Sequence, residues 1–278
     1  MKRTMIAALA ACSILALAGC KQAGTGNDAN ASATAGAASI DGTWKADLST
    51  VQMNSKPDQL MLKDGKFSCA TCTPPIELAA DGAFHPVTGR PYADSIAVKV
   101  DDDHSITRTD KKDGRVTSEG KYSVSSDGNT LTIDFTDSST PNVAPVKGSF
   151  VETRVDPAPA GANAISGSWK PAKYNNISDD ALTVTYKLDG DTLHMSSPAG
   201  QSFDAKLDGT DAPIKGDIGG TTVSVQKGSD GSFTITSKRA GKVLSVGTLT
   251  PTSDGKLSVS SESKEDGSTM KYVANKQS

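Results

Sequence analysis

Histidine is almost absent from this 278-residue chain, at three positions, and cysteine occupies only four. The histidines, His85, His104 and His194, lie far apart, and no G-x-S-x-G, H-E-x-x-H or phosphate-cradling glycine loop accompanies them. Serine and threonine abound, but a hydroxyl without a placed base is no nucleophile. These shortages argue against an enzyme and supply no cofactor site. No K/R-rich run or basic stripe is present, and the formal charge is −3, which argues against a nucleic-acid partner. No twelve-residue stretch carries a 3.6-residue apolar period, so helices are not expected. Thirteen aromatic residues neither fill a wide interior nor mark an obvious ligand lining.

The chain also lacks an apolar run long enough to span a membrane. The one candidate, MIAALAACSILAL at 5–17, follows Lys2 and Arg3 and is too short. A basic start, a short apolar run and small residues beyond it make an export signal, residues 1–19. The run ends in Leu17-Ala18-Gly19-Cys20, which resembles the lipobox of bacterial lipoproteins. That resemblance implies cleavage before Cys20, a lipidated Cys20 and a membrane as partner. Each buried methylene contributes ~0.8 kcal/mol, so several acyl chains hold far more firmly than one. In a Gram-negative host, Lys21 in place of aspartate implies the outer membrane.

Residues 21–39, KQAGTGNDANASATAGAAS, hold no aromatic and no large aliphatic residue. Such a stretch cannot bury enough surface to offset its ordering entropy, so residues 20–39 read as a lipidated cysteine and a flexible tether. Its reach is at most ~65 Å stretched and roughly 24 Å as a coil. Loss of residues 1–19 removes two positive charges and leaves −5.

The remainder is punctuated as an all-β chain. Asp-Gly pairs recur, among them 64–65, 113–114 and 189–190, between short alternating runs. Leu131, Ile133 and Phe135 alternate in TLTIDF, Leu182, Val184, Tyr186 and Leu188 in LTVTYKL, and Phe233 and Ile235 in SFTIT. Period two with Asp-Gly turns is the hairpin pattern and predicts an antiparallel meander.

The meander repeats. Gly42-Thr43-Trp44-Lys45 returns as Gly167-Ser168-Trp169-Lys170, and Val98 and Val100 as Val223 and Val225, both at a shift of 125. DGAFHPVTG at 81–89 returns as DGTDAPIKG at 208–216, and Asp127-Gly128 as Asp254-Gly255, at 127. This predicts two homologous domains, 40–155 and 165–274, joined by DPAPAGANA at 156–164, whose Pro/Ala/Gly composition suits a linker.

Each copy opens on G-x-W, at Gly42 and Trp44 and at Gly167 and Trp169, which resembles the opening of the lipocalin and calycin families. That resemblance implies small cup-shaped barrels with the tryptophan packed across the closed end, often against a basic residue of the last strand. Arg154 is the candidate in copy one, and Lys276 stands nearby in copy two. The residues alone leave an unrelated barrel or sandwich open.

Cys12 falls in the export segment and Cys20 at the lipobox, leaving Cys69 and Cys72 in SCATCTPP. Outside the cytosol such a pair usually forms a disulfide. A thioredoxin-like centre needs a following helix, and Pro74-Pro75 follows instead. Haem attachment needs histidine at 73, and zinc needs further ligands. Copy two carries His194 and Ser197 at these positions, so the fold does not require the cysteines. Asp101-Asp102-Asp103-His104 falls where a hairpin turn is due and reads as a solvated turn, with no metal site expected. Two functions remain: barrels holding a small apolar or amphipathic ligand at the envelope, or side-chain-filled barrels serving as a structural or interaction module.

Overall fold

The computed structural model describes residues 39–278. The export segment 1–19, Cys20, Lys21 and the tether up to residue 38 lie outside the described residues. Among the described residues, besides a short 3-10 turn (Leu48–Thr50) and one helical turn, α1 (Asp179–Leu182), every element is a strand. β1 (Gly42–Ala46) and β2 (Gln52–Asn54) precede β3 (Asp58–Lys63), β4 (Lys66–Cys69), β5 (Ile76–Ala79) and β6 (Asp81–Pro86). β7 (Ser95–Asp102), β8 (Ser105–Lys112), β9 (Arg115–Val124), β10 (Thr130–Asp137) and β11 (Val146–Asp156) follow. β12 (Gly167–Ile177) leads to β13 (Thr183–Asp189), β14 (Thr192–Ser196), β15 (Ser202–Lys206) and β16 (Ala212–Pro213). The chain ends in β17 (Thr221–Lys227), β18 (Phe233–Arg239), β19 (Lys242–Pro251), β20 (Lys256–Ser263) and β21 (Thr269–Lys276).

The strands form two nearly closed antiparallel barrels of 10 strands each. Barrel one runs β5-β4-β3-β12-β11-β10-β9-β8-β7-β6, and barrel two runs β15-β14-β13-β1-β21-β20-β19-β18-β17-β16 with β2 beside β21. The turns follow from their residues. At Asp64-Gly65 and Asp113-Gly114 all four φ angles are positive (50° and 72°, 50° and 75°), the two-residue turn whose twist matches the flanking strands. The period-two runs point inward as expected: Leu131, Ile133 and Phe135 are buried in barrel one, Phe233 and Ile235 in barrel two. Val98 is buried, whereas Val100, on the same phase of β7 but nearer the β7–β8 turn, is exposed.

The barrels do not coincide with the sequence copies. β1 lies between β13 and β21, with Trp44 opposite Val184 and Lys276. β12 lies between β3 and β11, with Trp169 opposite Asp58 and Arg154. The G-x-W strand of each copy therefore completes the barrel built by the other. This corrects the expected division into 40–155 and 165–274: barrel one is continuous from β3 to β12, and barrel two joins β1 and β2 to everything after β12. The crossing is made by β12, eleven residues and thus roughly 36 Å of strand. It starts with Trp169 in the core of barrel one and ends with Ile177 in the core of barrel two. Pro171 falls just past the last β3 pairing and at a register shift against β11, where a missing N–H is tolerated.

The stretch 156–164, expected as a linker, is a cap. Asn163 N–H donates to Leu62 O at 2.9 Å and Ala164 N–H to Asp103 O at 3.0 Å. The Asn163 amide reaches Asp102 O at 3.0 Å. These bonds fasten the segment over the β3–β4 and β7–β8 turns, the closed end of barrel one. The open ends face each other. Segment 137–146 and Tyr92 of barrel one line the mouth of barrel two, and Met53 and Ser55 line a cavity in barrel one. Tyr92 O–H donates to Asp217 at 2.6 Å, and Arg239 donates to the Tyr92 oxygen at 3.0 Å, tying the two mouths together.

Candidate functional site

The two tryptophans have the same surroundings. Trp44 and Trp169 are 1% and 0% exposed. Each indole N–H donates at 2.8 Å to the carbonyl four residues earlier, Ile40 or Ile165. The Arg154 guanidinium lies 4.0 Å from the Trp169 ring centre, and the Lys276 ammonium 5.4 Å from that of Trp44. Arg154 was expected over the tryptophan of its own copy. Strand exchange gives it the other, because Trp169 is its partner across β11 and β12. Arg154 also donates to Ser166 O and Ala164 O, both at 2.7 Å, so it clamps the cap as well. Gly167 (φ 125°) leaves room for this cation: a Cβ there would lie 2.6 Å from Asp156 O and 2.7 Å from an Arg154 nitrogen.

Two positions beyond each tryptophan the barrels diverge. In barrel two Ala46 faces Ala274 across β1 and β21. In barrel one the corresponding pair is Pro171 and Glu152. Two methyl groups leave space. Barrel two holds a cavity of about 110 Å³ bordered by Ala46, Ala274, Val184, Met195, Leu257 and the Tyr186 ring, with segment 137–146 over its mouth. The larger pair closes barrel one more fully, leaving about 50 Å³ beside Glu152, Tyr122 and the Cys69–Cys72 pair.

Barrel one instead contains charge. Arg108 donates from Nε and Nη2 to the two oxygens of Asp110 at 2.8 and 2.9 Å, and both residues are 4% exposed. Glu152, 2% exposed, and Tyr122 complete this layer. Burial pushes the Tyr122 hydroxyl up to about 12, against the Arg108 charge that favours its ionisation. Burial disfavours the Arg108 charge, but Asp110 and Tyr122 outweigh it and hold the guanidinium firmly protonated. The pair fills part of the interior of barrel one with charge. The sequence reading missed this layer, although Ile106, Arg108 and Asp110 share one phase of β8, and charge on the inward phase was its signal.

The cysteines form the expected bond, Cys69–Cys72, with Cα atoms 5.4 Å apart. Both are buried in the core of barrel one, where β4 ends. The histidines are scattered. His85 meets Asp81 at 2.8 Å and His194 meets Asp204 at 2.7 Å, both on the surface. Asp101 and Asp102 end β7 and Asp103-His104 make the β7–β8 turn, with His104 N–H donating to Asp102 at 2.8 Å. Among the described residues no three His, Cys, Asp or Glu converge as metal ligands. No protein-family model matches the chain, and no curated protein matches its sequence.

Proposed function

We propose that this chain is a non-enzymatic, lipid-anchored envelope protein that holds a small apolar or amphipathic molecule in barrel two. One observation carries the ligand reading: the Ala46–Ala274 pair leaves a cavity of about 110 Å³ with an apolar floor, whose open mouth carries Asp137, Ser139, Thr140 and Gln201. A fully apolar cavity of ~150 Å³ takes up benzene; this smaller one, with its apolar floor and polar mouth, suits the apolar end of an amphipathic molecule, for which benzene is a probe. Displacement of segment 137–146 admits the rest of a longer molecule. The buried Arg108–Asp110 pair supports a structural role for barrel one, the filled-barrel reading. The address rests on LAGC at 17–20 after the apolar run 5–17 and, for a Gram-negative outer membrane, on Lys21. Lipid at Cys20 keeps both barrels at the membrane surface, and the short Cys69–Cys72 loop fits an oxidising compartment.

The test is a thermal unfolding series with benzene added to the chain from Lys21 onward. Occupancy at a hundred times Kd adds about 2.7 kcal/mol of stability. Ala274→Leu, which fills the space, removes the benzene effect without lowering stability. An unchanged benzene effect in that variant, or none in the parent chain, overturns the ligand reading. For the address, Cys20→Ala releases the protein from membranes and ends palmitate labelling; persistence of both contradicts it.

A further inference from the structure

We propose that the slot between β13 and β21 is a strand-docking site, and that a second copy of this chain fills it with its own β1. Each G-x-W strand is a plug with one set of attachments. An indole sits under a cation of the last strand, its N–H is bonded to the carbonyl four residues back, and an isoleucine four residues back is buried. A glycine two residues before the indole takes a φ of 133° or 125°. Each slot is already filled by the strand of the other copy, so it recognises these local features and not continuity with the strands around it. A β1 from another molecule presents the same features.

The chain geometry favours the exchange. β1 and β2 form an arm at the start of the described residues, paired to β13 and β21. Only Ser55, Lys56 and Pro57 join the arm to β3, which belongs to barrel one. When the arm leaves, β13 and β21 become open edges that template strand pairing. Exchange of an identical element about a short hinge is a low-cost route to a closed dimer, because it makes every contact that the monomer makes. The arm of the same chain competes with an effective concentration of about 1 mM for a short linker. Seating in trans thus grows in proportion to protein concentration, and confinement of chains to a surface favours it.

The test uses the register of the slot. Thr43 faces Thr185 across β1 and β13, with hydroxyls 2.9 Å apart. One full chain from Lys21 carries Thr43→Cys and the other Thr185→Cys, and the two are mixed under mild oxidation. Trans seating gives a covalent heterodimer on a non-reducing gel, in about a tenth of chains with each variant at about 100 µM and about a hundredth with each at about 10 µM. A control pairing Thr43→Cys with Glu77→Cys, on β5 of barrel one, stays at background. A yield no higher than this control, or independent of concentration, overturns the proposal. A second arm uses the unsubstituted chain with biotinylated peptide 39–54 at about 1 mM, matched to the effective concentration of the chain's own arm. The peptide is retained by the folded chain, whereas its Trp44→Ala form is not; equal retention of both, or of neither, overturns the proposal.

Discussion

Replacement of Trp44 by alanine separates the barrels from the sequence copies. Trp44 stands in the first copy but is buried among residues of the second, 1% exposed within the core of barrel two. An aromatic side chain of this kind buries about 200 Å², which at ~25 cal/mol per Å² amounts to about 5 kcal/mol. Measured Trp→Ala costs of about 3–5 kcal/mol include partial relaxation of the cavity. Loss of the indole bond to Ile40 O places Trp44→Ala toward the upper end. The whole cost falls on barrel two. Hydrogen exchange under native conditions reads this directly, because local opening is reported amide by amide. In the variant, amides of β13, β20 and β21 lose protection first, and those of β8, β9 and β10 keep theirs. Trp169→Ala gives the reverse. Early loss of protection in β8 to β10 on removing Trp44 would refute the exchanged topology.

Arg108→Met strands Asp110 in the interior of barrel one and costs about 3–5 kcal/mol, whereas Arg108→Met with Asp110→Leu is close to neutral; urea unfolding of the three chains measures the difference, and equal costs for the single and double variants contradict the pairing. Ala240, in the β18–β19 turn, has φ 48°, where Asp64 and Asp113 serve the equivalent turns. Ala240→Asp therefore raises stability by about 0.5–1 kcal/mol, part of the roughly 1–2 kcal/mol that alanine loses in this conformation; a lower unfolding midpoint refutes it. Burial, with Asp217 adding to it at Tyr92, pushes the hydroxyls of Tyr92, Tyr122 and Tyr174 up to about 12. These folded values lie above the unfolded value of about 10, so their stabilisation is intact below pH 10 and lost as pH rises through 12. Phenolate absorbance should appear together with unfolding in that window, and titration of all three near pH 10 with structure retained contradicts the burial.

Local chemistry was legible in the sequence and long-range choice was not. Asp64-Gly65 and Asp113-Gly114 make their turns wherever they stand, and TLTIDF turns Leu131, Ile133 and Phe135 inward whichever barrel receives it. Cys69 and Cys72 lie three residues apart, so their bond needed no knowledge of the fold. The repeat, by contrast, tells which residues are equivalent and not which copy they pair with. Around the tryptophan the two slots make like demands, so GTWK and GSWK do not by themselves tell which slot each enters; the chain path through β12 places them. The composition of 156–164 suits a linker and a cap alike; bonds to Leu62 and Asp103 made it a cap. The cavity was hidden for a related reason. Ala46 and Ala274 are unremarkable until β1 and β21 are known to be neighbours, and the division at 156–164 had put them in separate domains.

In the function proposed above, barrel two is the receptor and barrel one its filled support. Methyl NMR spectra of the chain from Lys21, recorded as benzene is added, test it directly. Saturable shifts are expected at Val184, Met195, Leu249 and Leu257, which border the cavity. Leu62, Ile106 and Leu131 in the core of barrel one should stay fixed. Shifts spread over both cores, or a response that never saturates, would contradict it.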